Sequence, residues 1–137
     1  MTSIATGLRT VLDAHASSDS APVNIGHAPP LVPGLEKFIV VDRLSRDNHA
    51  TLDDPGDDSL IDETFRIVTY ARTVAEADET ADAMGTYLGD FSGAMGSDRS
   101  CIAAYIEDAS GDYDPPLFVE GFSTADLVVL IQHKPAA

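Results

Sequence analysis

The densest set of potential metal ligands in the sequence is Asp53, Asp54, Asp57 and Asp58, gathered around Pro55 and Gly56. Carboxylates crowded on a loop suit Ca²⁺ or Mg²⁺, and an EF-hand loop alternates its ligands and closes on a bidentate glutamate. This run has neither that alternation nor the closing Glu, so it reads as a solvated acidic loop. Asp112 and Asp114 flank Tyr113 just before Pro115 and Pro116. Two carboxylates in a proline-bounded turn face solvent, and nothing beside them in sequence tunes either for acid or base work. His15, His27, His49 and His133 lie far apart, so a metal or catalytic role for any of them requires convergence in the fold. Cys101 is the single cysteine, which excludes an internal disulfide and a Cys-based zinc site. Its place at the head of the apolar run 101–106 makes it a small core hydrophobe.

The sequence contains no G-x-S-x-G elbow, P-loop, H-E-x-x-H, C-x-x-C or G-x-G-x-x-G. No catalytic residue, cofactor or bound metal is therefore expected. Charge narrows the partners further: 23 acidic against 8 basic residues give a formal −15. Nucleic-acid binders cluster Lys and Arg to displace counterions, whereas the basic residues here are spread along the chain from Arg9 to Lys134. Tight DNA binding is excluded on that ground. An acidic wall can still line a passage through which DNA slides without sticking, and the same acidity also suits solubility or a high-salt habitat.

The elements that would carry these residues follow from periodicity. Ile4, Leu8, Val11 and Leu12 form one stripe of a helix over about 3–15, capped by Thr2 or Ser3. After the polar stretch 17–22, VNI at 23–25 is a very short strand, and GHAPPLVPG is a stiff extended connection. FIVVDRLS at 38–45 is a strand with Ile39 and Val41 on one face and Phe38 and Val40 on the other, apolar on both as a central strand is. Residues 46–63 hold seven acids (Asp47, Asp53, Asp54, Asp57, Asp58, Asp62, Glu63) against Arg46 alone and read as an exposed loop. TFRIVTYAR at 64–72 alternates Phe65, Ile67, Thr69 and Ala71 against Arg66, Val68, Tyr70 and Arg72.

Thr73-Val74-Ala75-Glu76 is a capping box, opening a helix over about 74–90 with Val74, Ala77, Ala81, Met84 and Leu88 on its apolar face. Gly85 slightly weakens it. Residues 90–100 are a flexible turn. CIAAYIEDA at 101–109 is a strand with Ile102, Ala104 and Ile106 opposed to Cys101, Ala103 and Tyr105, and 110–116 is a turn. Residues 117–134 are extended, with Gly121 as a bulge or bend before the β-prone run Leu127–Ile131. The order helix, strand, strand, strand, helix, strand, strand predicts one α+β domain over 1–137. Its mostly antiparallel sheet has both helices packed on one face and the other face available to a partner.

Taken together, the N-terminal amphipathic helix, the approach GHAPPLVPGLEKFIVV, the acidic loop, the couplet FRIVTYARTVAEADETADAMGTYL and the closing LVVLIQH resemble the tail terminator, or tail-completion, family of long-tailed bacterial and archaeal viruses. The likeness spans nearly the full length as a pattern, and the family offers no catalytic motif to compare. It implies a virion structural protein, assembled in the host cytoplasm and placed at the neck. It also implies a homo-oligomeric ring of six subunits that caps the tail tube protein, stops its polymerisation and docks the head connector, or stopper. DNA would pass through its lumen without specific binding.

A stopper or adaptor of the same neck, or an unrelated acidic α+β binding domain, remain as alternatives. No membrane contact is expected, since no stretch reaches the roughly 20 apolar residues of a bilayer span. The expected contact residues are coarse. They are Asp53, Asp54, Asp57 and Asp58 in one loop, Asp112 and Asp114 in another, and Arg66 and Arg72, which would pair with acids across a subunit boundary if the exposed sides of the strands at 64–72 and 125–133 meet a neighbour.

Overall fold

A computed structural model describes residues 4–14, 22–26, 30, 33–48, 60–89, 91–95, 99–107 and 118–135. Its first helix, α1 (Ile4–Ala14), buries Ile4, Leu8 and Leu12, each one turn from the next, and leaves Arg9 and Asp13 outside. The Arg9–Asp13 ion pair spans 3.9 Å between half-exposed side chains and contributes at most a few tenths of a kcal/mol. Arg9 does more by donating from Nε to Val23 O at 2.9 Å, which ties α1 to strand β1 (Val23–Ile25).

Strands β2 (Lys37–Asn48) and β3 (Ile61–Ala71) form a long antiparallel pair, from Lys37 opposite Ala71 to Asn48 opposite Ile61. Both strands continue three residues beyond the ends expected at 45 and 64. Arg46 stands opposite Glu63 there, an opposite-charge pair across the ladder. Read along the chain those residues look like loop; read across it they are a strand pair. A bulge between Arg43 and Ser45 leaves Leu44 as the extra residue.

Helix α2 (Val74–Gly89) follows β3 directly, and the Glu76 backbone N–H donates to Thr73 Oγ1 at 3.2 Å, closing the first turn. Ala77, Thr80, Ala81, Met84 and Leu88 are buried, whereas Val74 is 62% exposed, because the first helical position precedes the stripe that meets the sheet. Gly85 has a packing reason: a Cβ there would stand 3.3 Å from Leu127 Cδ1, so its absence lets helix and sheet approach closely. The chain then enters β4 (Gly93–Ala94), a two-residue strand within the stretch expected as a turn, and β5 (Arg99–Glu107). Gly121, with φ +84°, sits in a turn just before the last strand, β6 (Ser123–Pro135), rather than as a bulge within it.

Among the described residues these strands form one six-stranded sheet in the order β1-β2-β3-β6-β5-β4. Every pairing is antiparallel except β1 with β2. β6 returns between β3 and β5, so β3, α2 and β5 form a crossover split by a later strand. The α+β class and the placement of both helices on one face are as the sequence predicts. Ile4, Leu8 and Leu12 of α1 and Met84 and Leu88 of α2 share one core with Ile39, Val41, Phe65, Ile67, Val129 and Ile131. Each such side chain fully buried contributes about 1.5–3 kcal/mol.

The opposite face is less open than expected. Phe38, Val40, Val68 and Tyr70 form a second apolar cluster, covered by Leu35, Val119 and Phe122. Phe38 meets Tyr70 at 4.5 Å and Phe122 edge-on at 5.1 Å between ring centroids. β3 is consequently buried on both sides, so the side of 64–72 expected to meet a neighbour is covered by the chain itself.

Candidate assembly surface and its buried charges

Arg66 projects from the middle of β3 on the face away from the helices, and its side chain is 10% exposed. Its guanidinium donates from both Nε (3.1 Å) and Nη2 (2.6 Å) to Asp126 Oδ2 on the adjacent strand β6. The acid expected on another subunit is thus supplied by the same chain. Burial and the charge of Asp126 push the neighbouring Tyr70 phenol up, the cation of Arg66 works against them, and Asp42 adds a further upward push. Arg72, just past the end of β3 rather than within it, donates to Leu35 O at 3.1 Å and Gly121 O at 3.4 Å, and its guanidinium lies 4.1 Å from the centroid of the Phe122 ring. It clamps the cover of the second apolar cluster. Asp53, Asp54, Asp57, Asp58, Asp112 and Asp114 lie outside the described residues.

Among the described residues the main buried polar constellation is one that periodicity along the sequence does not disclose. Glu63 and His133, 3% and 2% exposed, meet on the helix side of β3 and β6 with Nε2 3.0 Å from Oε1. Arg99 on β5 donates from Nε to His133 Nδ1 at 2.9 Å, and an arginine has no acceptor role. Nδ1 is therefore the accepting nitrogen and the imidazole is the neutral tautomer with its proton on Nε2, directed at Glu63. Arg43 and Arg46 approach the same carboxylate from β2 at 3.8 Å each, with roughly half of each side chain in solvent. Glu63 Oε2 is buried without a hydrogen bond among the described residues.

Two of the cations that are scattered in sequence thus converge on one acid at one end of the sheet, and a third, Arg99, holds the histidine that meets it. The arrangement fixes side chains from β2, β3, β5 and β6 to each other, and it presents Arg43 and Arg46 outward on a strongly acidic protein. A weak signal was present in the sequence: Glu63 and His133 stand in register with alternating inward residues of their strands, where a polar side chain needs a partner.

Cys101 is buried in the main core, as expected, and burial raises its thiol to about 11. Its strand departs from the expected alternation. A bulge between Cys101 and Ala103 makes Ile102 the extra residue, so Cys101 falls on the same side as Ala104, both in the core. Beyond the bulge the strand is apolar and uncovered: Ile102 is 44%, Tyr105 52% and Ile106 41% exposed. β4 pairs only with Ser100 and Cys101, so among the described residues the outer edge of β5 from 102 to 107 has no strand partner. Exposed apolar side chains on an unpaired sheet edge are a template for another chain.

Among the described residues no group of three or more His, Cys, Asp or Glu is placed to hold a metal ion, and no helix is long and apolar enough to cross a membrane. No protein-family model matches the sequence, and no curated protein matches it significantly.

Proposed function

We propose that the protein is a tail terminator of a long-tailed virus: a virion structural subunit that forms a ring, six copies in the family pattern, on the last ring of the tail tube. The ring ends tube polymerisation and offers the docking surface for the head connector. The observation that carries this reading is the uncovered apolar edge strand, with Ile102, Tyr105 and Ile106 in solvent on a domain whose helices seal one sheet face and whose own loops cover much of the other. Such a subunit is built to be joined at its edge. The net charge of −15 suits a lumen that DNA must traverse without binding.

Electron microscopy of particles made after removal of this gene alone tests the reading. Filled heads without tails, beside free tubes of irregular excess length, are the expected result, because length control and head joining then fail together. Tubes of normal length that do not join heads place the protein at the stopper or adaptor position instead. Normal infectious particles end the structural reading.

A further inference from the structure

We infer that copies of this chain join head to tail by pairing the open edge of β5 in one copy with the open edge of β2 in the next, so that the sheet continues from subunit to subunit. The inference deepens the ring reading above and rests on it for closure into a ring; the pairing itself rests on the two edges.

The edges match in position. β1 pairs with β2 only at Ile39–Val41, and Gly26 N–H extends that cover to Val41 O, so among the described residues β2 is unpaired on its outer side from Asp42 onward. Following the ladders across the sheet, Ser45 lies opposite Thr64, Thr64 opposite Leu130, and Leu130 opposite Tyr105. Asp42 reaches Glu107 in the same way through Arg66 and Val128. The open stretch of β2 and the open stretch of β5 therefore stand at the same height on opposite margins of the sheet. They also run in opposite directions, since three successive antiparallel pairings separate them. A copy added by rotation alone brings β5 antiparallel to β2 with no vertical offset, which is the geometry a closed ring requires.

The apolar side chains of one edge also find aliphatic partners on the other. The open part of β5 offers Ile102, Tyr105, Ile106 and Glu107 without a cation, while the open part of β2 carries Asp42 together with Arg43 and Arg46, each arginine about half in solvent. An apolar edge thus faces one of mixed charge. At this height Arg43 stands opposite Ile106 and Arg46 opposite Ala104 on the helix side, so the aliphatic stems of the arginines would lie along the apolar side chains, with Asp42 and Glu107 the one like-charged pair at the end of the joint. Each edge has one bulge, leaving Leu44 and Ile102 as extra residues, and the added twist curves the sheet at the joint. A two-fold β5–β5 pairing is the competing arrangement, and it stops at a dimer.

Thiol cross-linking of the full chain tests the pairing. Ser45→Cys and Tyr105→Cys place thiols at one height on the same side of the two edges, while Cys101 is buried with its thiol raised to about 11 and stays unreactive. Treatment with a short bis-maleimide across a wide range of protein concentration is expected to give the double variant a covalent ladder running past dimer to a closed species, with each single variant left monomeric. A dimer from Tyr105→Cys alone establishes β5–β5 pairing and overturns the inference, as does a folded double variant that gives no ladder. If circular dichroism shows that the double variant is unfolded, Asp42→Cys with Glu107→Cys poses the same question with the same two outcomes. A ladder together with normal tails in the gene-removal experiment keeps the pairing and ends the terminator reading; overlong tubes with no ladder do the reverse.

Discussion

His133 Nε2 lies 3.0 Å from Glu63 Oε1, and both side chains are almost sealed from solvent. Diagonal across β3 and β6, the pair is held from the other side by Arg99 on His133 Nδ1. Glu63→Ala removes the acceptor and leaves the imidazole N–H buried without a partner beside the Arg43 and Arg46 guanidiniums. Losing a buried hydrogen bond to a charged group costs about 1.5–3 kcal/mol. Urea unfolding is expected to show a loss at the lower end of that range, since Arg43 and Arg46 reach water. A loss below about 1 kcal/mol, the worth of an ordinary hydrogen bond, means the constellation is not what fixes this end of the sheet.

Arg66 and Asp126 support a second prediction. Arg66→Met keeps much of the side chain's bulk over the sheet but leaves Asp126 facing Tyr70 without its cation, and Asp126→Asn keeps the shape while removing the charge. Charge-assisted hydrogen bonds contribute about 1.5–3 kcal/mol, so each single change is expected to cost about that much. The double-mutant cycle should return a coupling of about 1–3 kcal/mol. High salt should reduce the coupling little, because the Arg66 side chain is only 10% exposed. Additive single effects would show that Arg66 is held by packing instead.

The contrast between these two pairs explains what the sequence discloses. Period-two alternation in 64–72 and the capping Thr73 are local signals, and they place β3 and α2 within a few residues. Glu63 and Arg46 look like loop along the chain because their partners lie on other strands, 70 residues away in the case of His133. The bulge at Cys101–Ala103 reverses the facing of one half of β5 relative to the other, and no residue type announces it. The second apolar cluster is hidden for the same reason, since Leu35, Val119 and Phe122 belong to stretches without regular periodicity. Arg66 and Arg72 are visible in sequence as cations on a strand, but only the fold shows that Asp126, Leu35 O, Gly121 O and Phe122 already engage them.

The Cys101 thiol, raised from 9.0 to about 11 by burial, makes a prediction about alkaline conditions. The unfolded chain ionises near the lower value and the folded chain near the higher, so the unfolded state loses its proton first. The stability tied to this group is therefore complete below pH 9.0 and declines as pH rises from there to about 11. Cys101→Ala is expected to flatten the fall in thermal midpoint across that window. At neutral pH native protein should resist a thiol reagent that modifies the unfolded chain rapidly. Rapid modification of native protein would mean that the strand around Cys101 opens readily.

Gly121 tests how the outer apolar cluster is held shut. Its φ of +84° lies where a Cβ is strained, and a Cβ built there would come within 2.9 Å of Arg72 Nη1. Gly121→Ala thus penalises the turn and pushes away the guanidinium that bonds Gly121 O and Leu35 O and lies over Phe122. The backbone strain alone costs about 1 kcal/mol, and loosening the cover of Phe38 and Tyr70 adds to it. Phe122→Ala strips the same cover without strain and is expected to cost about 2–3 kcal/mol, below a fully buried Phe because its ring is partly in solvent. If Arg72 is what couples turn and cover, the two changes combined fall short of additive by a measurable margin, since the second has little left to disturb. Full additivity would mean that the turn and the aromatic cover are held independently, with Arg72 a bystander to both.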